Sequence, residues 1–142
     1  MNASLAYEKL GGPSLIGRPF KNEIDLVDVV AEGIPKATIK HLADTYGIDI
    51  REIIRLLPVT ARNLHRYAEN DRLSEVVTGR LFMLADLFAH GADALGADYF
   101  RAWLYRPNLG LTSKKPIDIL HNEVGINTVD DILGRIEHGI FA

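Results

Sequence analysis

The sequence contains no cysteine. This absence excludes disulfide bonds, thiolate nucleophiles and cysteine-ligated zinc sites, and it favours a protein of the reducing cytoplasm. Long apolar runs are also missing, since no stretch approaches the roughly 20 residues that a transmembrane helix needs. The segment from Met1 to Leu10 includes Glu8 and has no extended apolar run, so it does not resemble a signal peptide. We therefore expect a cytoplasmic protein that does not enter a membrane.

The length and composition are typical of a folded protein. The 142 residues are enough for one domain, or for two small ones that share a core. Hydrophobic residues make up 47% of the chain and charged residues 25%, as in globular rather than disordered proteins. The net charge of −3 argues against a surface covered with basic groups, but it allows a local basic face.

Helical patterns account for most of the sequence, and no segment combines the period-2 alternation of a strand with turn residues. We predict an all-α fold, in which N-terminal helix-turn-helix helices pack with a C-terminal helical domain around a long central helix. The expected divisions are 1–34 for an N-terminal arm and first helix, 35–90 for the helix-turn-helix region with the central helix, and 91–142 for the C-terminal domain.

Glycines, prolines and a capping residue predict which N-terminal residues are irregular and where the first helix begins. Closely spaced glycines and prolines in residues 1–21 indicate an irregular lead-in. Asn22 is expected to cap the first helix, with Ile24, Val27 and Val30 facing inward.

Four later helices have predicted starts. Asp49 and Glu52 form a capping box for one helix, and Thr60 caps the next, which we expect to end at Asn70. The longest helix is predicted for 74–89, and Thr128 is expected to cap the last one. The apolar stripe of the longest helix comprises Leu73, Val76, Val77, Leu81, Leu84, Ala85 and Phe88.

No combination of residues predicts an enzyme. The five histidines are scattered without the spacing of metal ligands, at His41, His65, His90, His121 and His138. The stretch Gly11–Ser14 lacks the lysine and the following helix of a phosphate-binding loop. Asp130 and Asp131 are adjacent, but their expected place in a first helical turn is one where carboxylates are routine. We expect no catalytic residues, no metal and no cofactor.

Two short helices within 49–70, joined by a tight break, are typical of a helix-turn-helix. In that motif the second helix enters the major groove of DNA, where arginine pairs with guanine and asparagine with adenine. The segment from Arg51 to Arg80 contains six arginines and four acidic residues, which gives it a net charge of +2. The turn at 57–59 lacks the usual glycine, and an ordinary helical hairpin with a solvated face fits the pattern equally well. The candidate DNA-binding residues are Thr60, Arg62, Asn63, His65 and Arg66.

The C-terminal stretch has the opposite charge. The segment from Ile117 to Ala142 contains five acidic residues and one arginine, which gives it a net charge of −4. Its last three residues are the apolar tail Ile140-Phe141-Ala142. A basic middle and an acidic, apolar-tipped end suit a protein with two different partners. Simple packing of the last helix on the central one would explain that helix, but not the tail.

The residues of this stretch resemble those of a known family. Two segments, Trp103–Gly110 and Leu133–Ala142, with Pro116 and Leu120 between them, are similar to the toxin-binding domain of Xre/MbcA/ParS-type antitoxins. The segment Val59–Leu73 resembles the helix-turn-helix region of the same family, less specifically. The likeness covers about residues 35–142.

The resemblance implies an antitoxin that neutralises a RES-domain toxin, an enzyme that consumes NAD by phosphorolysis or transfers ADP-ribose. In this family the C-terminal domain covers the active-site cleft of the toxin. The helix-turn-helix serves in dimerisation and, in many members, in binding of the operon's own promoter. A helix-turn-helix transcriptional regulator without a toxin partner is the alternative. The toxin-binding residues that the resemblance implies are Arg135, Glu137, Gly139, Ile140, Phe141 and Ala142.

Overall fold

The computed structural model describes residues 1–139, and these contain helices and no strands. The all-α prediction is therefore confirmed. The α-helices of this part are α1 (Ala3–Lys9), α2 (Gly12–Ile16), α3 (Ile24–Glu32), α4 (Ala37–Tyr46), α5 (Ile50–Arg55), α6 (Ala61–Leu64), α7 (Glu75–Leu95), α8 (Ala97–Leu104) and α9 (Glu123–Glu137). Two short 3-10 helices, Leu109–Leu111 and Pro116–Ile119, lie between α8 and α9. None of the helices in the described residues is long and apolar enough to cross a membrane.

The chain forms two compact units, Met1–Asp86 and Leu87–Ala142. The long helix α7 begins in the first unit and ends in the second. It extends beyond the predicted 74–89, because Gly91 continues the helix instead of ending it. A Cβ at Gly91 would come within 2.1 Å of the Phe100 ring, so a glycine is needed for this close contact.

The N-terminal segment is ordered, and the prediction of an irregular lead-in at 1–21 was wrong. Helices α1 and α2 occupy most of it and contact α4. Tyr7 and Leu10 are buried, and the Tyr7 ring stacks on Phe20 with centroids 5.0 Å apart. The glycines and prolines that suggested disorder form the turns around α2, since Gly11 and Gly17 adopt left-handed backbone angles at its two ends.

Helix α3 presents a different face from the predicted one. Ile24 and Val27 are 74% and 66% exposed, whereas Val29 is buried. Asn22 also does not precede the helix directly, because Glu23 lies between Asn22 and Ile24. The side chain of Asn22 still accepts a hydrogen bond from the N–H of Ile24, at 3.2 Å.

The first unit is held together by pairing between the segments before α4 and before α7. The N–H of Leu73 donates to the carbonyl of Ile34 at 2.9 Å, and the N–H of Ile34 donates to the buried hydroxyl of Thr78 at 3.2 Å. Lys36 donates its N–H to the carbonyl of Asp71 at 2.9 Å. These bonds fix the segment before α4 against the segment before α7 and the first turn of α7. In the predicted stripe of α7, Val76 is 67% exposed and does not contribute to the core.

The second unit packs α9 against a short 3-10 helix. Phe100, Trp103 and Leu104 of α8 are buried in this unit. Helix α9 begins at Glu123, so the prediction that Thr128 caps it was wrong, and Asn122 is the capping residue. The additional turn places Asp130 and Asp131 in the middle of α9 and not in its first turn.

Candidate functional site

The candidate toxin-binding residues lie at the C-terminal end of α9. The buried face of this helix ends at Leu133, and Arg135 and Glu137 are exposed. Gly139 has φ 72° and donates its N–H to the carbonyl of Ile136 at 3.1 Å, a left-handed ending that favours glycine. The predicted residues Ile140, Phe141 and Ala142 lie outside the described residues. The structure therefore places three of the six candidates together, on the last turn of one helix and directly after it.

A histidine that the sequence analysis did not select contacts this helix. His90, on the second-unit part of α7, lies with its Nδ1 2.5 Å from a carboxylate oxygen of Asp130. Its Nε2 hydrogen-bonds to the carboxylate of Glu137. The two carboxylates are seven residues apart, and this spacing puts them on one side of α9. Nothing in the local sequence links His90 to them, since the separations along the chain are 40 and 47 residues.

The environment of His90 favours its protonated form. Burial of the ring opposes protonation, but hydrogen bonds to Asp130 and Glu137 and the attraction of both charges outweigh this cost and raise the pKa of His90 above its ordinary value. An imidazole ring donates through both nitrogens only when it is protonated. The two-sided contact with carboxylates therefore favours the protonated ring, in the same direction as the raised pKa of His90.

The segment before α9 provides an ordered scaffold and an exposed loop. The rings of Phe100 and Trp103 stack with centroids 6.1 Å apart. The loop after α8 closes where the N–H of Asn108 donates to the carbonyl of Lys114 at 3.0 Å and the N–H of Ser113 donates to the carbonyl of Asn108 at 2.9 Å. Leu109 within this loop is 89% exposed. Phe100 and Trp103 thus lie inside this unit, and Leu109 leaves the loop with an apolar side chain on the surface.

Asp49 and Thr60 cap their helices as predicted, but the Glu52 carboxylate of the expected capping box bonds to Arg55. The Asp49 carboxylate accepts the N–H of Arg51 at 2.8 Å, and the Thr60 hydroxyl accepts the N–H of Asn63 at 3.0 Å. Hydrogen bonds from the Arg51 side chain and backbone lower the pKa of Asp49 to about 2. Helix α6 covers four residues, and the prediction of a helix continuing to Asn70 was wrong.

The candidate DNA-binding side chains are exposed around α6. Leu64 is buried and anchors the helix, while the hydroxyl of Thr60 is used in the cap. The exposed residues are Arg62, Asn63, His65 and Arg66. All of them are accessible to a partner, but the short helix can place fewer side chains along a groove than a full recognition helix.

An open depression of about 510 Å³ adjoins α6. It brings Asn63 and Arg66 together with Arg72, which the sequence analysis did not include among the candidates. Asp71 orders this wall, because its carboxylate accepts the N–H of Ala68 at 2.8 Å. Arg72 itself lies 3.5 Å from the carboxylate of Glu32. The depression is therefore a polar surface of mixed charge, in which Arg66 and Arg72 lie near Asp71.

The described residues contain no group of three or more histidine, cysteine, aspartate or glutamate side chains arranged to hold a metal ion.

Two family models match consecutive parts of the chain. The Antitoxin Xre-like helix-turn-helix domain matches residues 25–86, and the Antitoxin Xre/MbcA/ParS C-terminal toxin-binding domain matches residues 83–139. Both α6 and the described end of α9 fall within these matches.

Similar proteins share most of their length with this chain. Antitoxin Xre of Yersinia enterocolitica is 29% identical over 130 residues, which cover 89% of this chain and 88% of that protein. Antitoxin Xre of Photorhabdus laumondii is 25% identical over 128 residues, which cover 88% and 86%. A chain of the M. tuberculosis MbcT–MbcA toxin–antitoxin complex has the same fold, with a TM-score of 0.58 at 21% identity, covering 75% of this chain and 96% of that one.

Proposed function

Because this chain belongs to the Xre/MbcA/ParS antitoxin family, we propose that it neutralises a RES-domain toxin of a type II toxin–antitoxin system. The match of residues 83–139 to the toxin-binding domain carries this proposal. The protein acts by binding and not by catalysis, and it works in the cytoplasm together with its toxin. The toxin consumes NAD, and the antitoxin blocks it by covering its active site.

The proposed toxin contacts lie at the end of α9 and in the residues that follow. Arg135 and Glu137 are exposed there, and an arginine supplies the charge-assisted contacts that interfaces favour. The left-handed Gly139 ends the helix before the apolar tail. The proposed contact residues are Arg135, Glu137, Gly139, Ile140, Phe141 and Ala142.

A truncation tests this assignment. Deleting Gly139–Ala142 should abolish protection when the chain is co-expressed with a RES-domain toxin that the unmodified chain neutralises. Phe141→Ala alone should weaken the complex by about thirtyfold, because a buried aromatic contact at an interface is worth about 2 kcal/mol. Dissociation constants from calorimetry, together with growth after toxin induction, measure both effects.

The matched control for this test is Val124→Ala. Val124 is 76% exposed at the opposite end of α9, so its truncation removes an apolar side chain without touching the proposed contacts. Toxin binding by this variant should equal that of the unmodified chain. Full protection by the truncated chain would show that the toxin contacts lie elsewhere.

The first unit is proposed to bind the promoter of the chain's own operon, with the protein acting as a homodimer. The exposed arginines Arg62 and Arg66 around α6 favour this role. The residues involved are Thr60, Arg62, Asn63, His65 and Arg66. The competing function is that of a regulator with the same helix-turn-helix but no toxin partner. It requires that loss of Arg62 and Arg66 remove all activity.

A further inference from the structure

His90 contacts α9 at two points that are two turns apart. Its Nδ1 lies 2.5 Å from Asp130, and its Nε2 bonds to Glu137, so one ring spans the second half of the helix. The side chain of His90 is 25% exposed, and those of Asp130 and Glu137 are 44% and 31% exposed. The three groups are thus partly shielded from water, which weakens screening of their attraction.

The contact with Glu137 lies beyond the last buried residue of α9. Ile132 and Leu133 are buried, but Ile136 is only half-buried, and Gly134 has no side chain to pack. Apolar burial therefore anchors α9 up to Leu133 and holds its final turn less firmly. The ion pair between His90 and Glu137 supplies an anchor in that final turn.

We propose that His90 is a positioning residue for toxin recognition, which ties Asp130 and Glu137 to α7 and so fixes the last turn of α9 for binding. This inference rests on the proposed function, because Arg135 and the residues after Gly139 are the proposed toxin contacts. A fixed helix end lowers the conformational entropy that the complex must lose on binding. Glu137 then contributes to toxin affinity in two ways, as a proposed toxin contact and through its bond to His90.

The contact of His90 with Asp130 and Glu137 makes toxin affinity depend on pH. The charged groups that face His90 from α9 are Asp130 and Glu137, and on its own helix Asp93 lies three residues further along. The pKa of His90 is raised above 6.5 in the folded chain. The stabilisation is therefore complete below pH 6.5 and is lost as the pH rises through the folded pKa. Toxin affinity should weaken over the same interval.

The test measures binding of a RES-domain toxin by the full unmodified chain and by three variants of it, from about pH 6 to about pH 8.5. His90→Gln has no charge and cannot bond to both carboxylates in the same way, so it should bind about fivefold more weakly at the lower pH and show a flat profile. His90→Lys keeps a positive charge throughout this range, so it should restore affinity and also give a flat profile. His41→Gln, at an exposed histidine of α4, should behave like the unmodified chain.

The pH profile separates positioning from simple packing. If His90→Gln keeps full affinity, or if the unmodified chain and His90→Lys share one profile, the inference is wrong. Should His90→Gln fail to fold, the comparison with His90→Lys still decides, because titration of the toxin itself affects both chains equally. Failure of the unmodified chain to bind the toxin at every pH would instead overturn the proposed function, and this inference with it.

Discussion

Asn122 sets the start of α9 through one side-chain hydrogen bond. The side-chain Oδ1 of Asn122 accepts the N–H of Gly125 at 2.9 Å, which satisfies one of the free donors at the helix N-terminus. Thr128 lies inside the helix, where its hydroxyl donates to the carbonyl of Val124 at 2.8 Å. The two residues therefore have similar chemistry and different roles.

Substituting each of these residues by alanine should separate the two roles. Asn122→Ala removes the cap and should lower the free energy of unfolding by about 1 kcal/mol. Thr128→Ala should leave it unchanged or raise it slightly, because alanine has the higher helix propensity. Urea unfolding followed by circular dichroism measures both. Equal losses in the two variants would contradict the assignment of Asn122 as the cap.

Local sequence alone could not decide whether α9 begins after Asn122 or after Thr128. Thr128 is followed by an apolar residue and two aspartates, as a helix beginning there would be. Asn122 is a good cap as well, but Gly125 three residues later resembles a break in the sequence. Asp49 and Thr60, whose surroundings contain no such ambiguity, were predicted correctly as caps.

At the scale of the helix, Gly125 is required by packing. A Cβ at this position would lie 1.6 Å from the carbonyl oxygen of Ile119, so α9 approaches the backbone of the preceding 3-10 helix directly. Gly134, in the same helix, would place its Cβ in open space, with nothing within 4 Å. One glycine of α9 therefore serves a contact, and the other costs helix stability without serving a contact of this kind.

Alanine substitution should have opposite effects at these two glycines. Gly125→Ala should destabilise the chain by about 1–3 kcal/mol, because a backbone atom cannot rotate away as a flexible side chain can. Gly134→Ala should stabilise it by about 0.5–1 kcal/mol, since glycine costs this much in a helix interior relative to alanine. Thermal and urea unfolding provide the comparison. Stabilisation at both positions would mean that α9 does not approach Ile119 so closely.

Helices with long apolar stripes were predictable, and short ones held by distant contacts were not. The stripe of α7 indicated the longest helix correctly, although its end was placed too early, at Ala89. Helices α1 and α2 have seven and five residues, too few for a clear period, and they depend on packing against α4. The contact of His90 with α9 is a tertiary feature that no local pattern specifies.

At the scale of the whole molecule, the two units are proposed to bind different partners. The first unit contains the exposed arginines around α6, and the second contains the acidic helix α9. The opposite local charges, visible in the sequence, suit nucleic acid on one unit and protein on the other. The proposed DNA contacts lie in the first unit and the proposed toxin contacts in the second. The two activities should therefore be separable by mutation.

A double substitution tests this separation. Arg62→Ala with Arg66→Ala should weaken binding to the operon's promoter and reduce the salt dependence of that binding by up to about two counterions, because two cations of the proposed DNA contact are lost. Toxin neutralisation should be unchanged. Lys21→Ala with Lys40→Ala removes the same charge from exposed sites on the same unit and should leave promoter affinity close to normal. Titrations of duplex DNA at several salt concentrations, paired with the co-expression assay, measure the two activities. Loss of neutralisation in the arginine variant, with the fold intact by circular dichroism, would favour the regulator without a toxin partner.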